Sequence, residues 1–172
     1  MNKIHDPLTV NIGFIIHESP GFTRDFEFEF PHIELPPDLA VKDFKGKVTF
    51  SRAQKGILME GRVSGIVPTN CVRCLEAILE TVTSDFTELL AFHHIEDADT
   101  ELKVPENGYI DLAPLVREYL FLDSSSNPLC KPDCAGLCPT CGINRNHEEC
   151  DCKAEEIDPR LSKLKDLLDQ DD

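Results

Sequence analysis

The sequence predicts an α+β protein in which an antiparallel β-meander or small barrel packs with one or two helices and precedes a C-terminal zinc-knuckle lobe. Three observations support this class. Apolar and polar residues alternate along successive stretches of the first two-thirds of the chain, as in half-buried strands. The apolar period becomes helical near residue 111, and six cysteines then crowd into residues 130–152.

The clearest strand candidate is Phe26–Phe30, in which phenylalanine alternates with glutamate. We expect Pro31, Pro36 and Pro37 to end this strand. Further strands are predicted over residues 47–52, 57–67 and 77–90, with a turn at residues 54–56 between the first two.

Two of these strands carry signs of irregularity. Gly61 and Gly65 predict bulges or bends in the strand over residues 57–67. The strand over residues 77–90 is expected to break or become helical after Asp85.

A helix is predicted near residues 111–122, where Asp111 can cap it and Pro114 is tolerated in its first turn. An apolar stripe at helical spacing is expected to pack on the sheet as core: Leu112, Leu115, Val116, Tyr119 and Leu120. A second helix is predicted after Asp158-Pro159, with a stripe of Leu161, Leu164, Leu167 and Leu168 before an acidic tail.

These elements predict one compact domain overall, made of three parts. A β-rich body with its helix occupies residues 1–125. A cysteine-rich zinc-binding lobe follows over residues 126–154, and the C-terminal helix and acidic tail occupy residues 155–172.

The charge is large and unevenly spread along the chain. The net charge of −15 argues against indiscriminate binding to polyanions. Residues 41–74 nevertheless carry seven basic side chains against two acidic ones, a local balance of +5. Residues 84–111 carry eight acids against Lys103 alone, so the molecule is expected to be two-sided in charge.

The first ten residues, MNKIHDPLTV, lack the apolar run of a signal peptide. No stretch reaches the roughly 18 apolar residues that a membrane span requires. We therefore expect a cytoplasmic protein with no membrane partner. Because disulfides are disfavoured in that reducing compartment, metal binding is the leading interpretation of the eight cysteines.

The strongest metal signal is Cys138-Pro-Thr-Cys141 followed by Gly142. Two thiolates at this spacing can face one tetrahedral ion, and the glycine lets the backbone turn tightly after them. Cys150 and Cys152 supply a second pair, which completes a four-thiolate site.

The remaining cysteines also number four. Cys71-Val-Arg-Cys74 has knuckle spacing, and Cys130-Lys-Pro-Asp-Cys134 has the slightly wider spacing that also occurs in structural sites. We therefore predict two zinc ions, each held by four thiolates.

Other interpretations of the cysteines stay open. His147 could replace Cys150 or Cys152 as a ligand. The chain could hold an iron–sulfur centre, or a single zinc ion on the CPTCG knuckle with the upstream cysteines unliganded. The CxxxCxxC spacing over residues 134–141 is that of radical enzymes, but only 31 residues follow where those enzymes need a large barrel. A thioredoxin-like role for CVRC lacks the surrounding βαβ pattern.

The sequence predicts no enzyme, and an RNA-processing enzyme stays only as a further alternative because no catalytic constellation supports it. It contains no phosphate-binding loop, GxSxG, HExxH or Rossmann fingerprint, and so no evident small-molecule substrate. His93 and His94, with Glu96 and Asp97, are interpreted as part of a solvated loop. A shell filled by four thiolates also leaves no open position at which zinc could activate water.

Four segments carry a family resemblance in this order: CVRCLE, IDLAPLVREYLFLD, NPLCKPDCAGLCPTCGINRNHEECDC and DPRLSKLKDLL. Over residues 70–168 the chain resembles the YceD family, the large ribosomal RNA subunit accumulation proteins, in the cysteine-rich form of Gram-positive bacteria, cyanobacteria and plastids. The resemblance implies a non-enzymatic factor needed for 23S ribosomal RNA accumulation in large-subunit biogenesis. Forms similar to the enterobacterial protein keep the CxRC pair without the CPxCG knuckle, which implies that the four downstream cysteines form a separable site.

Two hypotheses about partners follow from this resemblance. The protein could contact ribosomal RNA through the basic stretch, with Lys45, Lys47, Arg52, Lys55 and Arg62 as candidate residues. It could instead hold a basic large-subunit ribosomal protein against its acidic surface, without touching RNA.

Overall fold

The computed structural model describes residues 7–93 and 102–152. It divides into two compact units. Of the described residues, those up to Asn70 and those within Ala77–Pro128 form the first unit, and those within Cys71–Glu76 and from Leu129 to Cys152 form the second. Residues 71–76 therefore group with the cysteine-rich segment, where the sequence-based division places them in the β-rich body.

The first unit is built on a four-stranded antiparallel meander, which confirms the predicted fold class in its coarse form. Each strand pairs with the next along the chain, in the order β2 (Thr23–Leu35), β3 (Leu39–Arg52), β4 (Gly56–Asn70) and β5 (Ala77–Ala91). A separate two-stranded sheet, not predicted, joins β1 (Thr9–Asn11) to β6 (Tyr109–Asp111), and a short 3-10 helix spans Gly13–His17.

The strands run further than the sequence predicts. Pro31 lies inside β2 and does not end it, so that expectation was wrong. An edge strand tolerates proline because the missing N–H can face away from the ladder. The strand ends instead at the turn that holds Pro36 and Pro37. The expected break after Asp85 was also wrong, because β5 stays paired with β4 up to Ala91.

Gly61 and Gly65 of β4 serve close packing, and the bulge predicted in β4 lies instead in its partner β3. The one register shift between β3 and β4 falls in β3, between Lys42 and Lys45. A Cβ atom at Gly61 would lie 2.2 Å from the ring of Phe86, and at Gly65 it would lie 2.3 Å from a Val41 methyl. Only glycine leaves room for these side chains.

The predicted helix forms as α1 (Ala113–Asp123) and packs on the sheet through its predicted stripe. Leu112, Val116 and Leu120 are buried, and the ring of Tyr119 stacks 5.1 Å from that of Phe86. The residue at the N-cap is Leu112, while Asp111 ends β6 and its carboxylate accepts a hydrogen bond from the Ala113 N–H at 2.9 Å.

Several predictions lie outside the described residues: the second helix, its leucine stripe, the acidic tail, and His94 with Glu96 and Asp97. His93 is described, and its Nε2 lies 2.9 Å from the Val104 carbonyl oxygen. Within residues 7–93 and 102–152 no helix is long and apolar enough to cross a membrane.

Candidate metal centres and the charged sheet face

The first cysteine cluster gathers thiols that lie far apart in sequence. The Sγ atoms of Cys71, Cys74, Cys130 and Cys134 all lie within 4.8 Å of one another. Cys71 Sγ lies 3.7 Å from Cys134 Sγ, and Cys74 Sγ lies 3.5 Å from Cys130 Sγ. These separations are far longer than a disulfide bond of about 2.05 Å.

The second cluster gathers the four downstream thiols. The Sγ atoms of Cys138, Cys141, Cys150 and Cys152 likewise lie within 4.8 Å of one another. Cys138 is buried and Cys141 is exposed, so this cluster lies nearer the surface than the first. The structure therefore brings together the same two sets of four that the spacing predicts.

The sulfur positions fit one tetrahedral ion in each cluster. A zinc–sulfur distance of about 2.3 Å places the sulfurs of a tetrahedral site about 3.8 Å apart, close to the separations in the first cluster. A polynuclear iron–sulfur cluster would hold its cysteines on different irons and spread them further apart. Both clusters are thus suited to a single ion with four thiolate ligands.

Both CxxC knuckles end in the same backbone turn. The residue after the second cysteine is left-handed in each, with φ of 62° at Leu75 and 76° at Gly142. The Leu75 N–H donates to the Cys71 carbonyl and the Gly142 N–H to the Cys138 carbonyl, both at 2.9 Å. This turn folds the chain back around the sulfurs.

Within the second cluster the thiols differ in acidity. Backbone N–H groups of Cys141 and Thr140 donate to Cys138 and lower its pKa to about 6. Hydrogen bonding to Cys141, together with burial, raises the pKa of Cys152 to about 12. Backbone hydrogen bonds favour ionisation of one thiol, and the negative charge of that thiolate then opposes ionisation of the neighbouring thiols. A divalent cation supplies the charge that would allow all four to ionise.

The first cluster shows the same split. Burial raises the pKa of Cys71, but backbone N–H groups, those of Cys130 and Cys74 foremost, bring it down to about 6. At Cys74 the backbone N–H of Glu76 lowers the pKa, yet burial and the neighbouring thiols together raise it to about 12.

A polar network surrounds the first cluster. Asn146 Nδ2 donates to Cys134 Sγ at 3.3 Å, and Asn144 Nδ2 donates to Glu76 Oε1 at 3.1 Å. His147 Nε2 lies 2.5 Å from the same Glu76 oxygen, and the four-atom groupings above do not include it. His147 thus faces a carboxylate in this structure. Nothing in the spacing of the cysteines signals the two asparagines.

The basic stretch does not produce a basic sheet face. Three cross-strand rows on the exposed face of β2–β5 carry three basic and five acidic side chains, namely Lys45, Lys47, Arg62, Asp25, Glu27, Glu29, Glu60 and Asp85. Lys45 lies 3.0 Å from Glu29, Lys47 lies 2.7 Å from Asp25, and Arg62 lies 3.3 Å from Asp85. Acids on the two outer strands therefore offset the cations on β3 and β4.

The other two RNA-binding candidates differ from each other. Arg52 is partly buried, donates to the Ile16 and Gly56 carbonyls at 3.4 and 3.5 Å, and places its guanidinium 4.4 Å from the Phe92 ring centre. Lys55 is exposed in the β3–β4 turn. The structure therefore gathers Lys45, Lys47 and Arg62 on one sheet face and places Arg52 and Lys55 apart from them, at the end of β3 and in the β3–β4 turn.

Two clusters of four cysteines, each with a knuckle turn, and a β-meander unit define a class of protein with paired candidate metal centres. A sequence profile for "Large ribosomal RNA subunit accumulation protein YceD" matches residues 59–168, which include all eight cysteines. The chain belongs to the YceD family, as the resemblance of its motifs predicts.

Individual relatives agree with this membership. An uncharacterized protein of Mycobacterium tuberculosis is 33% identical over 121 residues, which cover 66% of this chain and 56% of the relative. The chloroplastic "Large ribosomal RNA subunit accumulation protein YCED homolog 1" of Arabidopsis thaliana is 27% identical over 149 residues, which cover 69% of this chain and 46% of the relative. The uncharacterized protein YlbN of Bacillus subtilis is 29% identical over 120 residues, which cover 69% of this chain and 70% of the relative.

The match with the mycobacterial and plant relatives takes in only about half of their length. No solved structure matches this chain.

Proposed function

We propose that this protein is a non-enzymatic, zinc-binding factor of large ribosomal subunit biogenesis that supports the accumulation of 23S ribosomal RNA in the cytoplasm. One observation carries the proposal: a member of the YceD family holds eight cysteines in two clusters of tetrahedral size. The Arabidopsis and maize relatives bear the name of large ribosomal RNA subunit accumulation proteins.

The metal's role here is structural. Zinc would supply the cross-link and counter-charge for four thiolates in each cluster. In the described part of the second unit, every buried residue except Gly136 is a cysteine. That unit therefore has almost no apolar core of its own, and the two ions would take the place of one. Four thiolates per ion leave no position for a reactive water.

Metal content tests the cofactor directly. Native mass spectrometry of the full chain should show two zinc ions, and the Cys71→Ser/Cys74→Ser variant should keep one, at the second cluster. A wild-type chain purified with iron and visible absorbance would contradict the zinc assignment.

Cellular RNA levels test the biological role. Deleting the gene should lower 23S relative to 16S ribosomal RNA, and the wild-type chain should restore the ratio. The Cys138→Ser/Cys141→Ser variant should restore it less well, provided that immunoblotting shows equal amounts. An unchanged ratio after deletion would contradict the proposal.

Direct contact with ribosomal RNA remains the first hypothesis for the mechanism. Charge neutralisation at Lys45, Lys47, Arg52, Lys55 and Arg62 should weaken RNA binding and flatten its dependence on salt. Because Arg52 also binds the chain's own carbonyls, a variant that keeps Arg52 and changes the other four serves as the folded comparison. Unchanged binding in that variant would argue against contact through this stretch.

A second candidate is an acidic chaperone for a basic ribosomal protein. The excess of acids in the three cross-strand rows and the net charge of −15 favour it, because a basic protein is their electrostatic complement. Affinity capture should retain such a partner after nuclease treatment. Loss of every ribosomal protein on nuclease treatment would count against this candidate.

A further inference from the structure

We propose that Asn146 couples the two metal sites, because it donates a hydrogen bond to a sulfur of the first cluster from a loop whose ends belong to the second. The inference rests on the zinc sites proposed above. It adds that the chain binds its two ions cooperatively and that Asn146 is the positioning residue responsible.

The orientation of the Asn146 carboxamide is determined by its partners. Its Oδ1 accepts a hydrogen bond from the Ala135 N–H at 2.9 Å, so its Nδ2 must be the atom near Cys134 Sγ, at 3.3 Å. Nδ2 also donates to Asn144 Oδ1 at 2.8 Å. Each polar atom of the side chain therefore has a partner, and the N–H that points at sulfur is held in place.

The loop that carries Asn146 runs from Cys141 to Cys150, two ligands of the second cluster. Close to Cys141 it is tied by the Cys138 N–H, which donates to the Ile143 carbonyl at 2.8 Å, and by the Arg145 N–H, which donates to the Gly136 carbonyl at 2.9 Å. A metal at the second cluster closes this loop at both ends. The closed loop has less conformational freedom left to lose, so placing Asn146 against Cys134 costs less conformational entropy.

The hydrogen bond favours a metal at the first cluster, because an N–H donor stabilises the thiolate that ligates it. Outer-sphere partners of this kind typically change metal affinity by about 10- to 100-fold. We expect the lower end, about tenfold, because sulfur is a weak acceptor and the loop is partly ordered by its own hydrogen bonds. By linkage, a metal at the first cluster strengthens binding at the second by the same factor.

The test compares zinc affinities of full-length chains by competition with a chromophoric chelator. The Cys138→Ser/Cys141→Ser variant gives the first site alone, and the Cys71→Ser/Cys74→Ser variant gives the second site alone. The product of the two association constants in the intact chain should exceed the product of these isolated constants about tenfold. When the same set of variants also carries Asn146→Ala, the ratio of these two products should fall to about one.

Two outcomes overturn the coupling while leaving the zinc proposal intact. One is an intact chain that binds two ions with no excess, and the other is an excess that survives Asn146→Ala. A wild-type chain that binds fewer than two ions removes the zinc proposal itself, and this inference with it. The stoichiometry therefore distinguishes the two failures.

Two further variants separate a hydrogen bond to sulfur from a merely structural role. Asn146→Asp keeps an oxygen that can accept from Ala135 but removes the N–H donor, so it should abolish the coupling as Asn146→Ala does. Arg145→Gln changes the exposed neighbouring side chain and should leave the coupling unchanged.

Cobalt(II) provides a spectroscopic signature of the same contact. Removing an N–H donor from a ligating thiolate should move its charge-transfer band to lower energy. That shift should appear with Asn146→Ala and not with Arg145→Gln. A retained band position in Asn146→Ala would contradict the contact even if the variant bound zinc less tightly.

Discussion

At the scale of single residues, the two knuckles reach one geometry with different side chains. Gly142 adopts its left-handed conformation at no steric cost, whereas Leu75 holds the equivalent position at φ of 62° with a side chain that is 64% exposed. The CPTCG motif predicts the first turn through its glycine. Leucine carries no such signal, so the equivalent turn at Leu75 became visible only in the structure.

This difference predicts unequal effects of substituting the two residues. Gly142→Ala should lower the free energy of unfolding of the cobalt(II)-loaded chain by about 1 kcal/mol, the cost of a left-handed alanine. Among the described residues, no atom beyond the two chain neighbours lies within 4 Å of the added Cβ, so the loss would report backbone strain. Denaturation of the second unit, followed by cobalt(II) absorbance, measures it.

Leu75→Gly is the reciprocal variant. Relief of strain and the greater freedom of glycine in the unfolded chain nearly cancel, so stability should change by less than about 1 kcal/mol. A loss at Leu75→Gly larger than that at Gly142→Ala would show that the leucine side chain, and not the turn, matters.

At the scale of elements, the periodicity of the sequence predicted the type of each element and its buried face better than it predicted where the element ends. The stripe of α1 is buried as predicted, because side chains three and four apart on a helix share a face whatever lies beneath. The ends of β2 and β5 could not be predicted, because pairing with a neighbouring strand sustained them through Pro31 and beyond Asp85.

Helix α1 offers a matched pair for testing its role in the core. Leu120 is fully buried and Leu122 is 68% exposed, two residues apart in the same helix. Leu120→Ala should lower the free energy of unfolding of the first unit by about 2 to 5 kcal/mol, whereas Leu122→Ala should change it by about 0.5 kcal/mol or less. Urea denaturation followed by far-ultraviolet circular dichroism measures both, and equal losses would contradict the packing of α1 on the sheet.

At the scale of the whole molecule, the two units depend on different stabilising interactions. The hydrophobic core of the first unit consists of aliphatic and aromatic side chains and includes no cysteine among the described residues. The buried cluster of the second unit is Cys71, Cys74 and Cys134, with Leu129 and Cys130 packed against it. Hydrophobic burial supports the first unit, and metal ligation is proposed to support the second.

Removing the metal should therefore affect the units unequally. With a strong chelator, amide hydrogen exchange should accelerate in Cys71–Glu76 and over residues 129–152, because the thiol clusters lose their counter-charge and cross-link. Exchange in β3 and β4 should remain slow. Adding zinc back should restore protection, and uniform loss of protection across both units would contradict this division.

The sequence by itself determined the types of the main elements, the inward stripe of α1 and the grouping of the cysteines. Each of these depends on periods or spacings a few residues long, or on the requirement for four ligands. Only the tertiary structure decided that acids on β2 and β5 offset the basic stretch, that β4 needs glycine against Phe86, and that Asn146 contacts Cys134. Such contacts arise from strand register and loop closure, which bring together residues between 11 and 25 positions apart. No repeating pattern in the sequence predicts them.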